Sequence, residues 1–148
     1  MKDSAFTSRD RWPIWLWLFS LFLTGSLALA IQVALGNNLA AAAMVALTFL
    51  LIWAAISTPL PISLDEKELR VGSASIERSF ITGALPLSPR ELANIRGRDA
   101  NTQCWMALRF WVSSGVKIDI NDPRDPTPYW LVSAKRATAL AAALNAKN

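Results

Sequence analysis

The chain has 148 residues, 53% of them apolar, with a formal charge of +4 and a mean hydropathy of +0.29. One cysteine and no histidine exclude an internal disulfide framework and remove both the commonest metal ligand and the commonest base at neutral pH. The charge is too small and too dispersed for nucleic-acid binding, and the apolar residues are concentrated in one stretch, which points to an integral membrane protein.

In chain order, residues 1–11 read as a short polar cytoplasmic tail, with Lys2, Arg9 and Arg11 against Asp3 and Asp10. From Trp12 to Leu64 there is no Asp, Glu, Lys or Arg. Two apolar runs, residues 13–35 and 39–57, are interrupted only by Gly36, Asn37 and Asn38. Each has about the 20 residues that a helix needs to cross a hydrocarbon layer of ~30 Å. Residues 12–58 are therefore predicted to form a two-helix transmembrane hairpin. A cleaved signal peptide would also begin with a basic tail and offers Ala28-Leu29-Ala30 as a cleavage site, but the first run is too long and a second follows at once.

Arg9 and Arg11 precede the first span, Lys67 and Arg70 follow the second, and the connection is uncharged. The positive-inside rule then places both termini in the cytoplasm of a multi-pass cell (inner) membrane protein. Trp12, Trp15 and Trp17 open the first span and Trp53 lies near the close of the second, as an interfacial belt requires. Ser26, Ala30 and Ala34, at four-residue spacing, are a candidate helix-packing face, either within the hairpin or against another membrane protein. Gln32, the one amide inside a span, is expected to be solvated. With no ionisable group in either span, a proton relay or charged ion pathway has nothing to run on.

Residues 59–148 are predicted to be a small α+β cytoplasmic domain of antiparallel strands closed by a C-terminal helix. Pro59 and Pro61 end the second span. Alternation then gives a hairpin through Ile62 and Leu64, a turn at residues 65–67, then Leu69 and Val71. Residues 76–81 read as a further strand. Ser88, Pro89 and Glu91 form a capping box for a two-turn helix carrying Leu92 and Ile95. Residues 104–112 and 116–120 read as a second hairpin turning at Ser114-Gly115, with Arg109 across from Asp119 and with Trp105 and Trp111 in the core, or forming a partner patch if both face outward. A loop with three prolines, residues 122–128, leads to a last strand at residues 129–133. Tyr129 and Trp130 point to opposite faces of it, so at least one is core. Ser133 is expected to cap a final helix over residues 134–146, with Ala137, Leu140, Ala141 and Leu144 as its buried stripe. Strands closed by such a helix suggest a pleckstrin-homology-like architecture.

The run from Asp122 through Tyr129-Trp130-Leu131-Val132-Ser133 to Arg136, with residues 140–144, 11–13 and 108–112, resembles an uncharacterised family of actinobacterial two-span membrane proteins, domain of unknown function 3093. The resemblance implies a two-span anchor with a small cytoplasmic domain. It implies no activity and no catalytic residue.

The six glycines never fall in phosphate-loop spacing, and a nucleophile paired with histidine is impossible. Asp122 and Asp125 read as turn and capping groups, too few for a calcium site. No catalytic, cofactor-binding or metal site and no small-molecule substrate is predicted. The expected function is that of a non-enzymatic accessory or scaffold protein docking onto a larger membrane assembly. The alternative is a module that binds anionic lipid of the inner leaflet, with Arg90, Arg96, Arg98, Lys135 and Arg136 as candidate lipid or partner contacts. An enzyme with an unrecognised site is the third reading.

Overall fold

The computed structural model describes residues 6–146, so Lys2 and Asp3 of the tail lie outside the described residues. The chain divides into two compact units: Arg11–Pro59 is one, and the residues up to Asp10 together with those from Leu60 onward are the other.

The first unit is a pair of apolar helices, α1 (Ile14–Leu35) and α2 (Asn37–Ser57). At 1.5 Å per residue each is about 30 Å long. A single residue separates them, rather than the three expected. Gly36 takes φ 91° and ψ 172°, a region that side chains make inaccessible, and Asn37 and Asn38 already belong to α2. Both ends of the pair carry a polar tie. Trp12 Nε1 donates to Thr58 Oγ1 at 2.8 Å at the open end, and Gln32 Nε2 donates to Asn37 Oδ1 at 3.1 Å at the closed end, so Gln32 has a protein partner. Thr24 and Thr48 return their hydroxyls to the carbonyls of Ser20 and Met44. The helices meet along Leu16, Ser20, Thr24 and Ala28 of α1 and Ala40, Ala43, Leu47 and Leu51 of α2, while most other side chains are exposed.

The second unit holds two four-stranded sheets. Sheet A is the meander β1 (Phe6–Arg9), β2 (Pro61–Leu64), β3 (Glu68–Val71) and β4 (Ala74–Glu77), antiparallel throughout. The hairpin read over residues 62–71 is present as β2 and β3. The polar tail is not merely a tail: Phe6 pairs with Leu64 and is buried, so the chain before the hairpin supplies an edge strand. Both helices are inserted in the connection between the paired strands β1 and β2.

Sheet B has the order β5-β7-β8-β6, formed by β5 (Ile81–Leu87), β6 (Trp105–Ala107), β7 (Gly115–Ile120) and β8 (Tyr129–Ser133). Four sequence expectations fail here. The strand over residues 76–81 is broken by a 3₁₀ turn at Arg78–Phe80, where the chain leaves sheet A for sheet B. The second hairpin does not form: β6 runs parallel to β8, and β8 separates it from β7. Arg109 therefore does not sit on a strand beside Asp119, whose carboxylate instead meets Lys117 Nζ at 2.9 Å. Gly115 is not a turn residue but the first of β7. A Cβ there would lie 2.6 Å from the Val132 carbonyl oxygen, so the close approach of β7 and β8 requires glycine.

Apolar residues of both sheets form one core with α4 (Ala137–Asn145), including Ile62, Leu69, Ile118, Val132 and Leu140. The stripe Ala137, Leu140, Ala141 and Leu144 is buried as expected. The helix starts at Ala137 rather than at residue 134, because Ser133 is still in β8 and Ala134 N donates to Ser114 O. Two side chains fix the far end of α4. Arg78 Nη2 donates to the carbonyls of Ala143 and Leu144 at 3.0 and 3.2 Å, and the Asn145 amide both donates to and accepts from the backbone of Ala84. On the other face of sheet B, α3 (Pro89–Arg96) covers Leu87, Tyr129 and Leu131 with Leu92 and Ile95. Tyr129 and Trp130 thus lie in different cores, and both are buried.

Candidate functional site

Strand direction sorts the loops of the domain. In sheet A, β1 ends and β2 begins where the chain leaves for α1 and returns from α2. In sheet B the loop between β6 and β7, the joint between β8 and α4, and the turn between β5 and α3 share one end. The backbone N–H of Lys135, in the β8–α4 joint, donates to Asp10 Oδ2 at 2.8 Å. This end of sheet B is therefore the end from which the chain runs toward α1, only three residues after Asp10.

The five candidate cations do not form one cluster. Arg90 lies in the first turn of α3 and Arg96 in its last, about 9 Å apart along the axis. Arg98 follows Gly97 and pairs with Asp99 at 3.7 Å. Lys135 and Arg136 are exposed at the joint before α4, and the Arg136 guanidinium stacks on the Phe6 ring at 5.4 Å. A shallow groove of about 590 Å³ opens at this end, lined by Ser88, Glu91, Ser114, Lys135, Arg136 and Thr138. At its rim Ser88 N and Oγ both donate to Glu91 Oε2, at 2.8 and 2.7 Å. The Ser88 hydroxyl, then its N–H, hold the Glu91 carboxyl below its ordinary value.

Asp122 and Asp125 are committed to their own loop. Asp122 receives the fork of Arg124, Nε at 3.1 Å and Nη2 at 3.2 Å, and Asp125 Oδ1 accepts from Thr127 N and Oγ1 at 2.9 and 2.6 Å. Arg124 lowers the Asp122 carboxyl, and Thr127 lowers that of Asp125. Arg124 also lies over the Phe80 ring at 4.9 Å, so the proline-rich loop is a folded clasp. Burial first, then the neighbouring Cys104 thiol, raise the Tyr129 phenol. Ser26, Ala30 and Ala34 are exposed on α1, about a third of a turn from the face that meets α2.

Phe110 escaped the sequence reading. Read only as part of the strand over residues 104–112, it is 71% exposed, with its ring edge-on to Trp111 at 4.9 Å. The signal was the run Arg109-Phe110-Trp111 set one residue before Ser113-Ser114-Gly115, which marks a loop tip rather than a strand centre.

These features define a class: two long apolar helices carried by a small sheet-rich domain with antiparallel strands and a C-terminal helix. The chain belongs to the family described as protein of unknown function (DUF3093), whose profile matches residues 5–144. No curated protein and no solved structure matches it.

Proposed function

We propose that the protein is a non-enzymatic, membrane-anchored accessory or scaffold subunit, its hairpin crossing the membrane and its domain held at the cytoplasmic face for a protein partner. The observation that carries this reading is the insertion of an uncharged helix pair between two paired strands. Phe22, Val33, Phe49 and Trp53 are each more than 60% exposed on those helices, a continuous apolar surface that water does not tolerate and lipid does. The Thr24 and Thr48 hydroxyls return to backbone carbonyls, as hydrocarbon demands.

Strand pairing supports the orientation independently of charge. Because β1 and β2 are neighbours in one sheet, the chain must return to the side it left, and two spans do this where one or three would not. The basic flanks then favour the cytoplasmic side for both termini. A four-stranded meander, the antiparallel trio β5-β7-β8 and the closing helix α4 support a pleckstrin-homology-like domain, with α3 and β6 as additions. The readings of residues 1–148 as non-catalytic and as free of cofactor rest on the missing acid–base pair.

Purification in mild detergent tests the assembly. Stable co-elution of a larger membrane protein supports it, and elution alone under conditions that preserve other complexes defeats it. Resistance to alkaline carbonate and a cytoplasmic reporter at the C-terminus test the anchor, and the opposite results defeat that part. Contact with anionic lipid is the second reading, favoured by the position of Lys135 and Arg136.

A further inference from the structure

We propose that the loop between β6 and β7 is a membrane contact in its own right: Phe110 enters the interfacial layer of an anionic leaflet while the exposed Lys135 and Arg136 meet its phosphates. The proposal rests on the reading of α1 and α2 as membrane spans. Phe110 is the most exposed large apolar side chain of the domain among the described residues, ahead of Leu85 at 56% and Met106 at 37%.

An exposed apolar residue is ordinary in itself. Three observations set this one apart. First, its loop is fixed. Arg109 N donates to Ser133 Oγ at 2.9 Å, Ser114 Oγ donates to Ala134 O at 2.8 Å, and Ala134 N donates to Ser114 O at 3.1 Å. The ring is thus held out on a braced support. Second, the strand residues that brace it run directly into Lys135, which is bonded to Asp10 where the chain leaves for α1. Third, charge is divided between the ends of the domain. Arg9, Arg90, Arg109, Lys135 and Arg136 outnumber Asp10 and Glu91 at this end. At the other, Asp65, Glu66, Glu68, Glu77, Asp99, Asp122 and Asp125 outnumber Lys67, Arg78, Arg96, Arg98 and Arg124. An anionic leaflet attracts the first end and repels the second. Aromatic rings beside cations are the side chains that an interface accepts.

The test uses the full chain in liposomes of phosphatidylglycerol and phosphatidylcholine. Cys104 is replaced by Ser, and an environment-sensitive fluorophore is placed at Ser113→Cys on the same loop or at Glu66→Cys on the opposite end. Lipids bearing a quencher near the headgroup are expected to quench the label at position 113 and leave that at 66 untouched. Phe110→Ser is expected to abolish the quenching, as is pure phosphatidylcholine. A cation beside an anionic leaflet is worth about fivefold, so Lys135→Gln with Arg136→Gln should lower the ratio of docked to undocked domain by about twenty-five-fold.

Equal quenching at 113 and 66, in protein that resists alkaline carbonate, overturns the lipid contact and leaves the anchor standing. Release by carbonate overturns the anchor itself. In native membranes, a label at 113 that is shielded from aqueous iodide yet unquenched by lipid assigns the loop to a protein and also overturns the proposal.

Discussion

Thr7 and Ser63 are Cα partners across β1 and β2, outside the core, with Thr7 exposed and Ser63 half-buried. Opposed residues of an antiparallel pair have Cα atoms about 4.5–5.5 Å apart, within the span of a disulfide. Thr7→Cys with Ser63→Cys, in a Cys104→Ser background, is therefore expected to crosslink under mild oxidation. The ring so closed contains about 57 residues, for which the chain-entropy relation gives about 4 kcal/mol against a fully disordered chain. If α1 and α2 keep their helices when the domain unfolds, only about 13 flanking residues remain free, and the gain falls to about 3 kcal/mol. The smaller figure is expected in micelles, where a helix has no water to unfold into. Denaturant titration of the oxidised and reduced protein, followed by the fluorescence of the domain, measures the difference. Failure to crosslink, under conditions that join Glu68→Cys to Glu77→Cys across β3 and β4, would refute the pairing of β1 with β2 and the same-side argument with it.

Gly115→Ala forces a methyl against the Val132 carbonyl and Leu92, an overpacking expected to cost about 1–3 kcal/mol. Gly83→Ala meets nothing within 4 Å and should melt within about 0.5 kcal/mol of the parent. Asn145→Ala removes both bonds to Ala84 on the free edge of β5; a loss of about 1–2 kcal/mol is expected, with faster hydrogen exchange at the Ala84 amide. The Glu91 carboxyl is lowered in the fold from 4.5 by Ser88, so its contribution to α3 is complete above that value and is lost as pH falls through the lower folded one. The protection factors of the α3 amides, taken against the intrinsic exchange rate at each pH, should therefore fall in acid, and Glu91→Gln should remove that dependence.

Features written in neighbouring residues were legible in the sequence. The capping box at Ser88 and Glu91, the hairpin through Leu64 and Leu69, the stripe on α4 and the two apolar runs each announce themselves within a few positions. What was not legible depends on partners far away in the chain. Residues 6–9 are too few to carry a period, and only Leu64, across the hairpin, makes Phe6 a core residue. Ser114-Gly115 has the composition of a turn because glycine serves turns and close approaches alike, and only the Val132 carbonyl tells them apart. Strand alternation through residues 104–112 suggested a neighbour in sequence, whereas β6 pairs in parallel with β8. The candidate site suffered most: Arg90, Arg96 and Arg98 lie close in sequence but are spread along and beyond α3, while Arg109 and Lys135, distant in sequence, attach to the same corner.

The position of β1 gives the helix pair a role in the stability of sheet A. Closing a loop of about fifty residues costs about 3–4 kcal/mol in chain entropy. Burying Phe6 returns about 1.5–3 kcal/mol, and a four-residue edge strand adds few bonds of its own. With a disordered connection, β1 would be marginal. The hydrogen bond from Trp12 to Thr58 joins the two ends of the helix pair, so once the helices have formed, the gap to be closed is only the short flanks, at about 2 kcal/mol. Asp10 on Lys135 and Phe6 beneath Arg136 then supply the remaining hold. β1 therefore depends on the helices having paired first, while β2, β3 and β4 pair among themselves, and the β8–α4 joint that receives Asp10 is the one that braces Phe110. Edge strand and exposed loop are thus tied through one hydrogen-bonded joint.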